Sequence, residues 1–287
     1  MFKQRVITAL LLAPLALLAV FYLPLAGFAV FISAAFLLAA WEWSGFCGLA
    51  KKSLRAIYVG ITAIIFLLLY ILLPAQLTQP LTTQLLLHSL LLIGVIWWLI
   101  AIALVLSFPR SKTIWAAKDW LKALMGWFTL IPAWAAVLYI RHTGYAESEF
   151  TGAWLICALL GLVWAADIGG YIIGKPFGKH KLLPRVSPGK TVEGMLGGLG
   201  FVALLVTLVA VQRGWPEQTW LWYLAALTLT ILSVFGDLSE SMFKRVAGVK
   251  DSGAFLPGHG GILDRIDSLT ATAPLFALII ALLSGLY

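Results

Sequence analysis

The stretch 85–107, LLLHSLLLIGVIWWLIAIALVLS, decides the fold class because it contains no Asp, Glu, Lys or Arg. A helix that crosses a bilayer needs about 20 mostly apolar residues, and this stretch is long enough. Of the 287 residues in the chain, 62% are apolar and only 11% are charged, whereas a soluble domain carries about 25% charged residues. The sequence therefore predicts an integral membrane protein.

The same criterion predicts an all-α, polytopic fold with nine spans in a single membrane domain, 1–287. The spans are 5–22, 25–46, 54–73, 85–107, 120–140, 152–173, 194–212, 219–237 and 267–286. Only Leu23 and Pro24 separate the first two, which form either a tight hairpin or one broken unit. We divide the chain into N-terminal helices, 1–118, whose role the sequence leaves open, and a C-terminal half, 152–287.

The basic residues predict the orientation. If the N-terminus is cytoplasmic, every Lys and Arg except Arg141 and Arg213 falls on the cytoplasmic side, as the positive-inside rule requires. The C-terminus is then outside. This rule also accounts for the net charge of +8, so no nucleic-acid partner is expected. A compact chain without a targeting extension is typical of a multi-pass protein of the bacterial cytoplasmic (inner) membrane.

The cytoplasmic loop 174–194 is basic and rich in glycine. Its Gly189-Lys190-Thr191 suggests a nucleotide-binding P-loop, but that motif needs glycine at position 184, where this chain has Pro184. What remains is a loop in which Ser187, Lys190 and Thr191 can hold phosphate. The alternative is ordinary positive charge beside a membrane span.

The loop 237–267 gives a more specific signal. Asp264 and Asp267 are three residues apart, so on a helix they share a face near its first turn. Asp237 closes the preceding span, and an antiparallel neighbour brings it back to the same depth. Three close carboxylates repel one another unless a cation offsets them, and Mg²⁺ prefers oxygen ligands. The alternative is that these acids cap helices and pair with Lys244, Arg245 and Arg265.

Other polar or small residues are weaker candidates. The pair Gly260-Gly261 allows backbone to approach a ligand, and His259 can contact phosphate or move a proton. Asp167 and Glu42 lie within spans, where charge is expensive, and Asp167 is the better site candidate because its span leads into the basic loop. Gly170 and Gly174 are more typical of helix packing than of a ligand site.

These motifs resemble a known family. The run from Ser241 to Asp267 is similar to the signature of the phosphatidate cytidylyltransferases, also called CDP-diacylglycerol synthases. The matching positions are Ser241, Lys244, Arg245, Lys250, Asp251, Gly253, Leu256, Pro257, His259, Gly260, Gly261, Asp264, Arg265, Ile266 and Asp267. The segment 187–191 and the surroundings of Asp167 also resemble the family's middle region.

The resemblance implies a reaction in which phosphatidic acid and CTP give CDP-diacylglycerol and pyrophosphate. It implies that Asp237, Asp264 and Asp267 hold Mg²⁺, with room for a second cation, and that the enzyme is a homodimer. We expect Lys244, Arg245 and Arg265 to act in catalysis beside these acids. The residues expected to bind the substrates are Ser187, Lys190, Thr191, Ser241, Lys250, Asp251, His259, Gly260, Gly261 and Asp167.

Three other classes of protein are alternatives to a phosphatidate cytidylyltransferase. The first is another transferase acting on phosphorylated lipid, such as a kinase or a CDP-alcohol phosphotransferase, whose Asp-Gly-x-x-Ala-Arg pattern is absent from the sequence. The second is a transporter of an anionic solute, which would place its polar groups near the bilayer midplane. The third is a purely structural membrane protein, which would not need the polar residues of the loop 237–267.

Overall fold

Apolar helices make up most of the chain. The computed structural model describes residues 13–73, 85–256, 258 and 260–284. The helices are α1 (Ala13–Tyr22), α2 (Leu25–Phe46), α3 (Lys52–Leu72), α4 (Leu85–Leu106), α5 (Lys112–Trp115), α6 (Asp119–His142), α7 (Thr151–Phe177), α8 (Val192–Gln212), α9 (Thr219–Ala247) and α10 (Leu263–Ser284). An antiparallel hairpin of β1 (Lys181–Leu183) and β2 (Ser187–Thr191) joins α7 to α8.

Within the described residues, eight helices are long and apolar enough to cross a membrane: α2 to α4 and α6 to α10. They match eight of the predicted spans, so the prediction of an all-α, polytopic membrane protein is confirmed. Helices are expected here because lipid offers the backbone no hydrogen-bond partners. Of the predicted first span, 5–22, α1 covers the second part, and residues 1–12 lie outside the described residues.

Three predicted helix ends were wrong, and one of them is the start of the last span, predicted at residue 267, where α10 begins at Leu263. The other two lie on the same side of the bundle. The span predicted to end at residue 173 continues as α7 to Phe177, and the span predicted to end at Asp237 continues as α9 to Ala247. The apolar pattern stops earlier than the helix because charged residues can project beyond the lipid while the backbone stays helical. Helix α9 ends where Gly248 adopts a left-handed conformation with φ 71°, a common C-terminal cap.

Helix α6 lies at the centre of the bundle. In its most apolar stretch 72% of the residues are buried, compared with 22–50% in the other long helices. Helices α4 and α10 pack closely beside it at Gly94, where an added Cβ would lie 2.7 Å from Pro132 and 3.0 Å from Pro274. Trp98 of α4 also donates a hydrogen bond to the carbonyl of Thr270 in α10, at 2.9 Å.

Helices α7 and α8 pack through glycine, and the predicted packing role of Gly170 and Gly174 is confirmed. A Cβ added to Gly174 would lie 3.0 Å from the Cα of Gly194, and one added to Gly170 would lie 3.5 Å from the Gly194 carbonyl oxygen. This close contact holds α7 against α8, on either side of the hairpin that joins them.

Arg141 holds the end of the bundle at which α6 finishes. Its guanidinium is buried and donates to the carbonyl of Val20, at 2.9 Å, and to that of Glu149, also at 2.9 Å. The rings of Phe28 and Tyr145 lie within 6 Å of it, at a distance typical of cation–π contact. This basic residue, an exception to the charge pattern, is therefore committed to packing.

The opposite end of the bundle gathers the ends of several helices, and we call it the site end. Trp43 of α2 donates to the carbonyl of Lys122 in α6 at 2.9 Å. The ring of Phe243, near the end of α9, lies 4.7 Å from that of Trp43 and 4.8 Å from that of Trp115 in α5. Aromatic packing from the N-terminal helices therefore supports the charged end of α9.

Candidate active site

An ion pair joins α9 to the hairpin. Lys190 of β2 lies with its Nζ 2.7 Å from Oδ2 of Asp237. One helical turn later in α9, the hydroxyl of Ser241 donates to Oδ1 of Asp237 at 3.2 Å. The two loops singled out from the sequence, 174–194 and 237–267, therefore meet at Asp237.

Asp264 organises the start of α10. Its Oδ1 accepts a hydrogen bond from Nζ of Lys244 at 2.8 Å, which is also an ion pair between α9 and α10. Its Oδ2 accepts from the backbone N–H groups of Gly261, at 2.7 Å, and Ser252, at 3.0 Å. Asp264 thus ties the preceding loop to both helices, and its oxygens face donors from the protein.

Glu240 lies between the other acids and is 3% exposed. Among the described residues, neither of its carboxylate oxygens accepts a hydrogen bond. Lys244 is nearby, with Nζ 3.5 Å from Oε2, and Asp264 and Asp267 are both within electrostatic range. Asp267 in turn lies within electrostatic range of Asp237. The acids at the ends of α9 and α10 therefore form one continuous cluster.

The cluster is more acidic than basic. If all groups are ionised, its four carboxylates exceed its two ammonium groups by two negative charges, which one divalent cation would offset. The carboxylates are those of Asp237, Glu240, Asp264 and Asp267, and the ammonium groups are those of Lys190 and Lys244.

The donor atoms suit Mg²⁺, which is usually held by one or two carboxylates together with substrate phosphates. In the part of the chain that the structure describes, no group of three or more His, Cys, Asp or Glu side chains is placed to hold one ion. Asp237 and Asp267 lie within electrostatic range of each other, while the oxygens of Asp264 accept hydrogen bonds from Lys244, Gly261 and Ser252. The cluster therefore fits an ion that shares its ligands with a phosphate.

Comparison with known proteins identifies the family. The model of the cytidylyltransferase family matches residues 3–283. A phosphatidate cytidylyltransferase of Pseudomonas aeruginosa is 43% identical over 278 residues, 96% of each chain. One of Haemophilus influenzae is 40% identical over 284 residues, covering 96% of this chain and 98% of the relative. The chain belongs to the cytidylyltransferase family. It is a multi-pass membrane enzyme, a nucleotidyltransferase.

The other basic side chains that were predicted to belong to the site of this cytidylyltransferase differ in their surroundings. Arg245 donates through Nε to the carbonyl of Val186 at 3.2 Å, so it helps to hold the hairpin. Lys250, Asp251 and Arg265 are exposed, and Arg265 lies within electrostatic range of Asp167. By contrast, the ammonium groups of Lys190 and Lys244 are already paired with acids.

Asp167 and the predicted phosphate-binding residues of β2 have distinct positions. Asp167, on α7, lies within electrostatic range of Lys190, Asp237 and Arg265, so it lies beside the cluster. Ser187 begins β2 opposite Leu183. The hydroxyl of Thr191 is committed to the helix that follows: it accepts from the N–H of Gly194 at 3.1 Å, caps α8 and is buried.

The glycine pair of the family signature permits close contact with carboxylates of the protein itself. Gly260 has φ 80°, and an added Cβ would lie 2.6 Å from Oδ2 of Asp264. A Cβ on Gly261 would collide with the carboxylate of Glu42. Both glycines therefore allow close contact with acids of the protein, and their approach to a ligand stays a prediction. His259 and Pro257 lie outside the described residues.

Sequence reasoning missed two acids of this cytidylyltransferase. Glu240 received no role because residues after Asp237 were assigned to a loop. As helix, they place Glu240 one turn after Asp237 and one turn before Lys244, which is the signal that could have found it. Glu42 was noted as a charge within a span, but its contacts with residues 252–263 are tertiary and leave no local pattern.

Proposed function

We propose that the enzyme transfers the cytidylyl group of CTP to phosphatidic acid, giving CDP-diacylglycerol and pyrophosphate. The observation that carries the proposal is the acidic cluster at the ends of α9 and α10, with Lys190 and Lys244 inside it. These helix ends lie where a lipid phosphate and a water-borne nucleotide can meet. The proposal is also supported by the names of the relatives, which cover nearly all of the chain.

The reaction needs little acid–base chemistry from the protein. The second pKa of a phosphomonoester is near ~6, so the phosphate of phosphatidic acid is largely dianionic at neutral pH. One of its oxygens attacks the α-phosphorus of CTP in line with the leaving group. A new P–O bond forms, the bond from the α-phosphorus to the bridging oxygen breaks, and the electron pair leaves with pyrophosphate. Catalysis is then mainly positioning and charge stabilisation.

The side chains divide these tasks. Lys190 holds Asp237 in place, and Lys244 holds Asp264. Together with Arg245, these contacts fix the positions of the hairpin, α9 and α10 relative to one another. The exposed Lys250 and Arg265 offset charge on the substrate phosphates and on the departing pyrophosphate.

Ser187, Ser241, Asp251, His259 and Asp167 complete the set proposed to contact the substrates. Thr191, Gly260 and Gly261 stay in that set, although their described contacts are with the protein itself.

Mg²⁺ would be held by Asp237 and Asp267, with Asp264 beside them and room for a second cation. When bound, it supplies Lewis-acid polarisation of the phosphate oxygens. If its four acids are all ionised, the cluster has two uncompensated negative charges, and these support the assignment because two anionic substrates would otherwise enter a negative site.

We also propose the setting of the enzyme. The N-terminus and the site end face the cytoplasm and the C-terminus lies outside, in the inner membrane of a bacterium, with two copies forming a homodimer. The support for the orientation is the gathering of basic residues at the ends of the spans that meet at the site. Residues 152–287 form the catalytic half, and residues 1–118 support it.

The test is pyrophosphate release by the purified protein with CTP, phosphatidic acid and Mg²⁺ supplied together or singly omitted. We expect release only with all three present, and none when diacylglycerol replaces phosphatidic acid. Lipid-dependent use of ATP with release of ADP would indicate a kinase instead. With a chiral α-thio analogue of CTP, direct displacement predicts inversion at phosphorus, and retention would show a covalent enzyme intermediate.

A further inference from the structure

Glu42, near the end of α2, makes contacts far along the chain. Its side chain is 3% exposed. Oε1 accepts a hydrogen bond from the N–H of Ile262 at 3.1 Å, and Oε2 accepts from the N–H of Leu263 at 2.8 Å and from the hydroxyl of Ser252 at 3.0 Å. An N-terminal helix therefore supplies a carboxylate to the start of α10, which carries Asp264 and Asp267.

This carboxylate does the work of a helix cap. The first N–H groups of a helix have no partner within it, and they are usually satisfied by a Ser, Thr, Asp or Asn just before the first turn. Before Leu263 this chain has Ile262, whose side chain has no acceptor. A negative charge at that end is also favoured by the helix dipole. Glu42 supplies both the acceptor and the charge.

The loop before α10 is shaped around the same carboxylate. A Cβ added to Gly253 or to Gly261 would collide with the Glu42 carboxylate. At Gly253 the obstacle is Glu42 alone, and at Gly261 it is Glu42 together with the hydroxyl of Ser252, which itself donates to Glu42. The next residue of α2, Trp43, packs on Phe243 with ring centroids 4.7 Å apart. Consecutive residues of α2 therefore hold the loop and the end of α9 together.

We propose that Glu42 is a positioning residue for cytidylyl transfer: it holds residues 252–263 so that Asp264 and Asp267 face Asp237 and Lys244 in the geometry that the reaction needs. The inference rests on the proposed function for its effect on turnover, and on the contacts alone for its effect on the loop. It also gives the N-terminal helices a role, which is to complete the active site from outside the family signature.

The test compares Glu42→Gln with a matched control, Glu147→Gln, which changes an exposed acid in the loop between α6 and α7. Glutamine keeps the size of the side chain but presents an amide donor to N–H and O–H donors. We expect kcat to fall by about tenfold or more in protein that remains folded and membrane-inserted, and to be unchanged in the control. Glu42→Asp, which keeps the charge, should recover part of the loss.

A second readout does not depend on turnover. A nitroxide label at Ala254→Cys, with Cys157→Ala to remove the accessible native thiol, reports the motion of the loop; Cys47 is fully buried. We expect Glu42→Gln to add a mobile component to the spectrum and Glu147→Gln to leave it unchanged. Gly253→Ala keeps the charge but presses a methyl group on the carboxylate, and should act in the same direction. Its control is Gly161→Ala, whose Cβ meets nothing within 4 Å.

The outcomes separate the two proposals. An unchanged kcat in Glu42→Gln, or a lower kcat with an unchanged label spectrum, would overturn the positioning role. Parent protein that shows no CTP turnover, while Glu42→Gln still mobilises the label, would overturn the proposed function and leave the contact between α2 and the loop established. If Glu42→Gln does not fold, Gly253→Ala carries both measurements.

Discussion

Replacing Lys244 by methionine removes the cation between two buried carboxylates. Its Nζ lies 2.8 Å from Asp264 and 3.5 Å from Glu240, and the three side chains are 13%, 6% and 3% exposed. Removing one partner of a buried ion pair costs about 3–5 kcal/mol. Since two carboxylates lose their counter-charge here, we expect Lys244→Met to lower the free energy of unfolding by at least about 3 kcal/mol.

Lys190→Met is the matched control, because Lys190 makes an equally short ion pair in a more exposed place. Its side chain is 26% exposed and that of Asp237 is 37% exposed. Ion pairs that solvent reaches contribute about 0.2–1 kcal/mol, so we expect Lys190→Met to lower stability by less than about 1 kcal/mol. Both variants should lose cytidylyl transfer, since both lysines belong to the cluster.

The assay is equilibrium unfolding of detergent-purified protein, followed by circular dichroism, with turnover measured on the same samples. The double variant Lys244→Met/Glu240→Gln should recover part of the lost stability, because one of the two uncompensated charges is gone. Equal losses of stability in Lys244→Met and Lys190→Met would contradict this reasoning, and so would the absence of any recovery in the double variant. Either result would show that burial does not determine how much the Lys244–Asp264 ion pair contributes to stability.

Three further predictions follow from single contacts. Asp264→Asn should abolish turnover but lower stability less than Lys244→Met does, because Lys244 can turn to Glu240; substantial activity at saturating Mg²⁺ would contradict a role for Asp264 beside the metal. Thr191→Val should lower stability by about 0.5–2 kcal/mol, the usual effect of losing a helix cap, and raise the KM for a substrate; an unchanged KM would remove Thr191 from the residues proposed to contact the substrates. Arg141→Met should lower the unfolding midpoint but not the kcat of the folded fraction, because its contacts lie at the end of the bundle away from the site; a lower kcat would link the two ends.

The positions of eight spans were predictable because lipid imposes a length and a composition on every span. The ends were less predictable. Residues 238–247 are polar enough to resemble a loop, yet they contain no glycine or proline and continue α9 until Gly248. Hydropathy indicates where the lipid ends, whereas the helix ends where a residue can leave the helical conformation. In α9 these two points, Asp237 and Ala247, are ten residues apart.

The acids of the family signature were predictable as a group, but their partners were not. Spacing places Asp264 and Asp267 on one helix, whereas nothing local indicates that Asp264 accepts from Lys244 and from the N–H of Gly261. Glycines next to acids in a loop suggested approach to a ligand. The structure shows that the same absence of a Cβ makes room for Glu42, which lies more than 200 residues earlier in the sequence.

The way α10 begins also limits how the substrates can be bound. A helix N-terminus is a favourable place for phosphate, but here the N–H groups of Ile262 and Leu263 are taken by Glu42 and that of Gly261 by Asp264. The helix dipole therefore stabilises acids of the protein itself. Under the proposed function, the charge on the incoming phosphates would be offset by the divalent cation and by exposed side chains such as Lys250 and Arg265. On this proposal the carboxylates would hold both the cation and the loop, and the exposed Lys and Arg side chains would receive the substrates, which accounts for the many carboxylates in a site for two anions.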